Sequence, residues 1–351
     1  GLFIHWGISS VHGHCDISWG MIADTPWTTE PKVKPEEYFR LAERFRPDKY
    51  DPDAWLKPAA EAGFTYAVLT TKHHDGYALW PSKYGEFGTR THMDGRDLVR
   101  PFVDACRRHG LKVGLYYSPP DWYYNRHYMS FDVLWFDGGE DVKDAISIEE
   151  IRALQPGIIV SPRMHGVGDY ITTECNFSKI TSKPDRLWEH CDIWSKHAWG
   201  YTLKGEQYKS VEWMLSRLCK IRAWGGNLLI NVSPRPDGTL PDEALVRLGE
   251  VKEWMKAHRP AIFDVESDNY QTYSNVPVTK RGNTWYLHLL PENAQAGPVR
   301  INGIPAPSSA RLMRTGEALP FSWNAADRQL VLDPSPHWNG QTVDIAELTL
   351  E

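Results

Sequence analysis

Polar side chains follow several short apolar runs of the chain, at positions where a parallel sheet would gather them. Asp137 follows the apolar run Asp132–Phe136, and His73 and His74 follow the run Tyr66–Thr71. The carboxyl ends of parallel strands meet at one edge of a sheet, and in barrels of alternating strands and helices that edge carries the active site. A carboxylate with histidine neighbours at such an edge can act as a nucleophile or exchange protons with a substrate.

A second acid and an arginine belong to the same pattern. His5 and Arg163 stand at further predicted strand ends, and Glu174 comes 37 residues after Asp137. Two carboxylates about 5–5.5 Å apart carry out retaining glycoside hydrolysis, one as nucleophile and one as acid/base. Asp137 is the better candidate for the nucleophile, because Gly138-Gly139 leave room for a ligand beside it. An Asp in this position can also simply cap the next helix, but the neighbouring polar strand ends favour function.

The elements predicted to position these residues alternate through the first 260 positions. Short apolar runs, typical of strands buried on both faces of a parallel sheet, alternate with stretches of helical periodicity. The runs are Leu2–Trp6, Tyr66–Thr71, Lys112–Tyr117, Asp132–Phe136, Gly157–Val160 and Asn227–Val232, and the helical stretches are Pro35–Phe45, Leu98–His109, Ile148–Leu154, Val211–Ala223 and Glu243–Lys256. The sequence therefore predicts an α/β fold, a (β/α)8 TIM-like barrel over 1–262, with a doubly wound sheet as the alternative.

The pattern changes after residue 262. Short strand-like runs, among them Asn269–Tyr273 and Thr284–Leu290, are separated by Pro, Gly and Asn, and no long helical period follows. Such a pattern is typical of antiparallel sheets. It predicts a C-terminal antiparallel β-sandwich over 263–351.

One connection in the first part is too short for this fold. Only the 14 residues 118–131 separate two predicted parallel strands, and they show no helical pattern. A parallel crossover with its helix needs about a dozen residues or more. We therefore hypothesise that a helix-bearing segment is missing from the chain near Arg126–Tyr128.

Composition and charge exclude several classes of protein. The chain has 351 residues, with 39 Lys and Arg against 45 Asp and Glu and a net charge of −6, so a nucleic-acid partner is not expected. No apolar run reaches the roughly 18 residues of a membrane span. The five cysteines are odd in number and lack CxxC spacing, which disfavours a full disulfide framework and a Cys-based zinc site. The chain starts inside an apolar run at Gly1, so we expect a trimmed N-terminus and assign no compartment.

The chain resembles the α-L-fucosidases of glycoside hydrolase family 29 over essentially its whole length. The motifs that carry the resemblance are FIHWG (3–7), TKHHDGY (71–77), GLYYS (114–118) with Asp121-Trp122, VLWFDGG (133–139) and WGGNLLINVSPRPDGTLP (224–241). The resemblance implies a catalytic barrel followed by a β-sandwich and retaining hydrolysis of α-L-fucosides. It also implies a fucosylated oligosaccharide or glycoconjugate as substrate and no metal or organic cofactor, and it leaves a homo-oligomer open.

The resemblance implies roles for individual residues as well. Asp137 matches the nucleophile, and Arg163 matches an arginine near the sugar. His5, His73 and His74 match the histidines that bind the fucose hydroxyls. Because adjacent strand residues point to opposite faces, His73 and His74 can both face the pocket only if the strand ends or bulges there.

Aromatic residues are expected to complete the sugar site. Tyr117, with Tyr116 as the alternative, matches the tyrosine after the third strand. Trp199 matches the aromatic residue that packs on the apolar side of fucose, and Trp224 is expected to extend that wall. Trp19 lies where the family usually has Glu-Trp-Tyr, so a usual carboxylate contact is missing there.

The acid/base is expected at Glu174, with Glu189 as the alternative. Glu174 matches a family pattern in which an acid follows a Gly-Asp pair, here Gly168-Asp169. Glu189 stands in LWEHC, which is also typical of the family. A structural carboxylate beneath the pocket is the other interpretation of Glu189.

Other functions fit parts of the same sequence. His12 and His14 form a His-x-His pair that, with His73, His74 and Asp137, could ligate the metal of a hydrolase, but His12 lies well past the strand end. A catalytically inactive homologue would bind fucose without cleaving it, but would need neither Asp137 nor a second acid. A fucose-like sugar such as α-L-galactose is a third alternative.

Overall fold

The computed structural model describes residues 1–14, 17–22, 33–118, 132–137, 147–163, 166–203 and 207–351. Within these ranges the chain forms two compact units. The first unit comprises 1–175, 191–209 and 229–249, and the second comprises 176–190, 210–228 and 250–351. Cys15, Asp121-Trp122, Arg126–Tyr128 and Gly138-Gly139 lie outside the described residues. The division at residue 262 stays a prediction.

An eight-stranded parallel sheet forms the framework of the candidate site. Its strands are β1 (Leu2–Ile4), β2 (Tyr66–Lys72), β3 (Lys112–Tyr117), β4 (Val133–Phe136), β5 (Ile159–Val160), β6 (Ile171–Glu174), β7 (Trp188–Ile193) and β8 (Asn227–Val232). They pair in the order β5-β4-β3-β2-β1-β8-β7-β6. This is the cyclic order of a (β/α)8 barrel, not that of a doubly wound sheet. Among the described residues no pairing joins β5 to β6, so the sheet is a curled, open half-barrel.

Ten α-helices lie among the described residues, and several have clear local causes. They are α1 (Ser9–His12), α2 (Trp19–Ile22), α3 (Pro35–Phe39), α4 (Leu41–Arg44), α5 (Pro52–Glu61), α6 (Thr89–His92), α7 (Val99–Arg108), α8 (Ile148–Leu154), α9 (Val211–Ala223) and α10 (Asp242–Ile262). The apolar residues Val99, Phe102 and Cys106 give α7 a buried face. A capping box between Ser147 and Glu150 begins α8.

The sequence missed elements whose composition is atypical. The helix α5 carries an internal Pro58, which is atypical of a helix, although Pro52 and the Asp51 cap favour its start. The strands β6 and β7 carry several polar residues, so no apolar run marked them. The predicted helix Pro35–Phe45 is divided at Arg40 into α3 and α4.

The inner face of the curled sheet holds the core of the first unit. Six strands each contribute one buried residue to a single cluster, and these are Phe3, Val68, Tyr116, Trp135, Cys191 and Leu229. Close packing there is tight enough to demand glycine at one position. A Cβ on Gly114 of β3 would lie 2.7 Å from a methyl carbon of Val68 on β2. The aromatic members of this cluster also contact the candidate site described below.

The second unit contains the remaining strands, in two antiparallel sheets. The strands are β9 (Val278–Arg281), β10 (Thr284–Leu289), β11 (Val299–Ile301), β12 (Pro307–Leu312), β13 (Phe321–Asn324), β14 (Gln329–Leu332) and β15 (Asp344–Leu350). One sheet has the order β12-β15-β10-β9 and the other β11-β14-β13. The strand predicted at Asn269–Tyr273 is wrong. Residues Tyr270–Thr272 form a 3-10 turn instead, in which the Asn269 carbonyl accepts from the Thr272 amide and hydroxyl.

A buried ionic network ties α10 to β15 within the second unit. Nε2 of His258 lies 2.9 Å from a carboxylate oxygen of Asp344, and its Nδ1 lies 2.8 Å from the carbonyl oxygen of Trp254. The other carboxylate oxygen of Asp344 accepts from Arg314 at 2.7 Å. Burial by itself raises the pKa of Asp344, but the hydrogen bonds from His258 and Arg314 outweigh it, and the pKa is lowered. Asp344 therefore links α10 to Arg314, which follows β12.

Replacing Asp344 should therefore destabilise the second unit strongly. Asp344→Asn leaves a buried imidazole without its carboxylate, and we expect a loss of about 3–5 kcal/mol in the free energy of unfolding. Urea unfolding of the variant and the wild type at neutral pH measures the difference. Asp327→Asn is the control, because Asp327 is an exposed acid of the same unit. Equal losses in the two variants would show that the buried network contributes nothing.

Candidate active site

Asp137 lies directly after the carboxyl end of β4 and faces the inner side of the sheet. Trp135, two residues earlier, belongs to the inner core cluster, so strand alternation points Asp137 to the same side. Its two carboxylate oxygens accept from different donors. The Tyr116 hydroxyl donates to Oδ2 at 2.9 Å, and Nη1 of Arg163 donates to Oδ1 at 3.1 Å. The carboxylate stays about one quarter exposed, at 26%, so a substrate can reach it.

Arg163 is presented by a loop that folds back onto β5. Asp169 closes this loop: its carboxylate accepts from the Val160 amide at 2.7 Å, and its own amide donates to the Val160 carbonyl at 3.0 Å. Gly168 packs directly against Pro162, where a Cβ would lie 2.6 Å from the Pro162 nitrogen. The contacts of Gly168 and Asp169 therefore fix the backbone position from which the Arg163 side chain extends.

The guanidinium of Arg163 joins the two candidate carboxylates. Nη1 donates to Asp137, and Nη2 donates to Oε2 of Glu174. The guanidinium lies over the Trp135 ring, 4.7 Å from its centroid, and Nη2 is 3.9 Å from the sulfur of Cys191. Burial lowers the pKa of Arg163, but the charges of Cys191, Glu174 and Asp137 raise it overall. The arginine is thus a permanent cation between the two carboxylates.

Glu174 is the last residue of β6, and its side chain is 38% exposed. Because Asp137 and Glu174 bind the two terminal nitrogens of one guanidinium, they share one small region at the carboxyl ends of β4 and β6. Such closeness is compatible with the roughly 5–5.5 Å separation of retaining pairs. The structure thus brings together the two acids that the sequence singled out first.

His5 is a buried, neutral imidazole with a defined tautomer. Its Nδ1 lies 2.7 Å from Oδ1 of Asn231, and the Asn231 amide nitrogen donates to the Trp199 carbonyl at 2.7 Å. The amide oxygen therefore faces His5, so Nδ1 is the donor and Nε2 is left as an acceptor. Burial lowers the pKa of His5 to about 4. At neutral pH this side chain offers a hydrogen-bond acceptor and carries no charge.

His73 and His74 both reach the site because the strand changes its register at its end. The pairing of β2 with β3 shifts between Thr70 and Lys72. Such an irregularity at the strand end lets two adjacent side chains face the same pocket. The His73 ring stacks on Tyr116 with a centroid distance of 5.4 Å and lies 2.6 Å from the Ser18 hydroxyl through Nδ1. Burial lowers the pKa of His73 well below its usual value.

His74 contacts the carboxylate directly. Its Nε2 lies 3.8 Å from Oδ2 of Asp137, and its Nδ1 is hydrogen-bonded to the Ser118 hydroxyl. Burial lowers the pKa of His74, although Asp137 works in the opposite direction. At neutral pH the contact with Asp137 is therefore made by a neutral ring and is not an ion pair.

The tyrosine that contacts Asp137 is Tyr116, the alternative in our prediction, and not Tyr117. Strand alternation places the two on opposite faces of β3. Tyr116 lies in the inner core cluster, whereas the Tyr117 ring is 5.2 Å from Nζ of Lys72 and 6.2 Å from the Trp80 ring. Burial, followed by the charge of Asp137, raises the pKa of Tyr116, which keeps its hydroxyl a donor.

The predicted tryptophans fall in different places. Trp199 is half-buried beside His5, with a ring distance of 5.0 Å, and Trp19 meets His74 edge to face at 5.3 Å. Both belong to the first unit with Asp137. Trp224 belongs to the second unit, where it is buried and stacks on Tyr270 at 5.8 Å. Its place in the sugar wall stays a prediction.

Glu189 also belongs to the second unit. It is the second residue of β7 and is buried, with 5% of its surface exposed. It therefore lies near the amino end of its strand, whereas Asp137 and Glu174 lie at the carboxyl ends of theirs. This position fits the structural interpretation better than the acid/base role.

Sequence reasoning missed the residues that support this site. Ser18, Asn231, Trp135 and Cys191 hold the histidines and the arginine but were not selected as site residues. Asn231 did carry a signal, because it is a polar residue inside the apolar run of β8 and is fully buried. Within the described ranges, no three His, Cys, Asp or Glu residues are grouped to hold a metal ion. No helix in those ranges is long and apolar enough to cross a membrane.

Comparison with known proteins assigns the family. Residues 1–130 and 124–259 match the sequence model of the family described as alpha-L-fucosidase. The chain belongs to the alpha-L-fucosidase family. Members of this family are glycoside hydrolases, so the resemblance found in the sequence is confirmed. The match favours neither a metal-dependent hydrolase nor an inactive homologue.

Individual alpha-L-fucosidases are similar to the chain along most of its length. Tissue alpha-L-fucosidase of Mus musculus is 25% identical over 96% of this chain and 86% of its own. Plasma alpha-L-fucosidase of Homo sapiens is 26% identical over 100% of this chain and 85% of its own length. Among solved structures, alpha-L-fucosidase isoenzyme 1 from Paenibacillus thiaminolyticus has a TM-score of 0.82 at 28% identity, covering 100% of this chain and 96% of its own. The alpha-fucosidase of Thermotoga maritima has a TM-score of 0.77 at 27% identity, covering 99% and 94%.

The family match divides where the sequence raised a question. Its two segments meet at residues 124–130, which include Arg126–Tyr128. A missing segment would divide a match in this way. The absence of a helix-bearing segment at this point stays a prediction, because these residues lie outside the described part of the chain.

The two adjacent tyrosines allow a matched test of the site. Tyr116→Phe removes the hydroxyl that donates to Asp137, and hydrogen bonds to charged groups are worth about 1.5–3 kcal/mol. We expect kcat/KM for 4-nitrophenyl α-L-fucopyranoside to fall about tenfold or more. Tyr117→Phe should leave it nearly unchanged, because Tyr117 faces the other side of β3. A larger loss in Tyr117→Phe than in Tyr116→Phe would contradict this geometry.

His5 should make the fold less stable in mild acid. Between about pH 6.5 and 4 an unfolded chain binds a proton on His5 that the folded chain does not. The free energy of unfolding therefore falls as the pH falls, by up to about 1.4 kcal/mol per pH unit from this group. Urea unfolding across this window should show a shallower pH dependence for His5→Gln than for the wild type. Identical slopes would mean that His5 titrates normally.

Proposed function

We propose that the chain hydrolyses terminal α-L-fucosyl residues of oligosaccharides or glycoconjugates by double displacement, with retention of configuration. The observation that carries this proposal is the clamp in which Arg163 binds Asp137 and Glu174 at once. Because both carboxylates contact one guanidinium and are partly exposed, this clamp supports a mechanism in which they act on the same glycosidic bond. Membership of the family supports the sugar and the reaction class.

Asp137 is proposed as the nucleophile. Hydrogen bonds from Arg163 and Tyr116 fix the orientation of its carboxylate, and its exposed fraction leaves an approach for the anomeric carbon. In the first step an Asp137 oxygen attacks that carbon, the glycosidic bond breaks, and a glycosyl ester forms. In the second step water attacks the same carbon and releases fucose and the free carboxylate.

Glu174 is proposed as the acid/base. In the first step it gives a proton to the leaving oxygen, and in the second it takes a proton from the attacking water. Without substrate the carboxylate of Glu174 is bound to Arg163, so it must leave that contact to reach the leaving oxygen. We infer that substrate binding opens the Arg163–Glu174 contact while Arg163 stays on Asp137.

The environment of the acids supports a neutral, hydroxyl-rich substrate. His5, His73 and His74 have lowered pKa values because they are buried, so they present uncharged donors and acceptors. The bare Nε2 of His5 can accept from a sugar hydroxyl. The half-buried Trp199 beside it supports an apolar contact, such as the methyl group that a 6-deoxy sugar carries.

The finer architecture is proposed together with the function. The strand order supports a barrel that closes between β5 and β6, because every other neighbouring pair of a (β/α)8 barrel is present. The two antiparallel sheets of the second unit support a β-sandwich.

Azide rescue tests the nucleophile. Asp137→Ala should lower kcat on 4-nitrophenyl α-L-fucopyranoside by several orders of magnitude, because it removes the covalent step. Azide should restore cleavage and yield β-fucosyl azide with inverted configuration, since the small anion occupies the space of the lost carboxylate. Near-wild-type activity of Asp137→Ala, or rescue with the α-anomer as product, would overturn the assignment.

The two candidate acids can be separated with leaving groups of different acidity. Glu174→Gln should slow cleavage of a fucosyl disaccharide by about 100-fold or more, and slow the bond-breaking step of an activated aryl fucoside less. The reason is that a good leaving group needs little protonation. Glu189→Gln is the matched control, and the reverse pattern would move the role to Glu189.

A further inference from the structure

We propose that the second unit carries a saccharide-binding site of its own, in a cavity between α9 and the turn at Pro291–Asn293. The cavity has a volume of about 350 Å³. This lies at the lower end of the range of small-molecule sites, which suits a monosaccharide or disaccharide unit. All of its lining residues belong to the second unit.

One face of α9 forms a wall of this cavity. Trp213, Ser216, Arg217 and Lys220 line it, and their spacing of three and four residues places them on one side of a helix. Pro291 and Glu292, at the start of the turn, line it as well. An aromatic side chain with hydroxyl, amine and carboxylate neighbours supplies both an apolar surface and hydrogen-bonding groups, which a sugar ring needs.

The aromatic part of the cavity is held in place by Arg217. Its guanidinium lies 4.9 Å from the Trp213 ring and 4.7 Å from the Phe177 ring. A cation between two rings restrains all three side chains. Trp213 is therefore a fixed, half-exposed surface rather than a freely rotating side chain, and less entropy is lost when a ligand binds to it.

The charges of the lining favour a neutral ligand. Glu212 and Glu292 oppose Arg217 and Lys220, so the acidic and basic side chains balance. Lys220 is ion-paired directly with Glu292. An anion or a cation would meet repulsion from one half of this set. A polyol can form hydrogen bonds with acidic and basic side chains alike, because each charged group can donate to or accept from a hydroxyl.

This site goes beyond the proposed function, because binding there requires no cleavage. A glycan substrate has sugars besides the fucose that is removed, and a cavity of this kind would hold one of them. The probe is therefore lactose, a neutral disaccharide without fucose. Any binding of lactose to the candidate active site is suppressed by saturating it with the inhibitor 1-deoxyfuconojirimycin.

Saturation-transfer NMR with lactose tests the proposal. The wild type with inhibitor present should bind lactose, and Trp213→Ala should weaken that binding about tenfold or more. Phe321→Ala is the matched control, because Phe321 is an exposed aromatic residue of the same unit. It should bind lactose as the wild type does.

A second variant and a second measurement guard against misfolding. Glu292→Gln breaks the ion pair and keeps the shape of the cavity, and it should also weaken lactose binding. Neither variant should change kcat/KM on 4-nitrophenyl α-L-fucopyranoside, so failure of the proposed function would show separately in that assay. Absence of lactose binding to the wild type, or equal binding by wild type and Trp213→Ala, would overturn the proposal.

Discussion

The candidate site depends on one half-buried cation, the guanidinium of Arg163. Arg163 places a guanidinium between two carboxylates that come from different strands, and the flat face of Trp135 supports it from below. Without a positive charge there, Asp137 and Glu174 would repel each other across a short distance. A planar group with two terminal nitrogens can hold both acids at fixed angles, which the single ammonium of a lysine cannot do.

The arginine in turn depends on the inner layer of the sheet. The same cluster that forms the core of the first unit contributes Trp135 beneath the guanidinium, Cys191 beside it and Tyr116 on Asp137. The residues that pack the core of the first unit therefore also determine the geometry of the site. A change in this layer would alter the positions of the reacting groups as well as the stability.

The three histidines of the site also depend on burial and on neighbouring side chains. Burial keeps them neutral, and the side chains of Asn231, Ser18 and Ser118 fix their ring orientations. The site thus joins one strongly charged pair of acids to a neutral, hydrogen-bonding wall. This combination suits an uncharged sugar whose anomeric carbon becomes cationic in the transition state.

Much of this could be predicted from sequence because strand ends are marked by composition. The apolar runs located six of the eight strands, and the polar residues after them located Asp137, His5 and Arg163. Polar strands gave no such mark, so β6 and β7 were missed even though Glu174 ends one of them. The choice between Tyr116 and Tyr117 depends on strand parity, which a shift of one residue reverses. Supporting contacts between distant residues, such as Ser18 with His73, have no local signal in the sequence.

If Asp137 is the nucleophile, it must form a covalent bond with the sugar during the reaction. Incubation of the wild-type chain with 2-deoxy-2-fluoro-α-L-fucosyl fluoride slows the second step, and peptide mass spectrometry then locates the label. We expect one fluorofucosyl group per chain, in the tryptic peptide that ends at Lys143, with fragmentation assigning it to Asp137. A label on Glu174 or Glu189, or turnover with no covalent label at all, would contradict it.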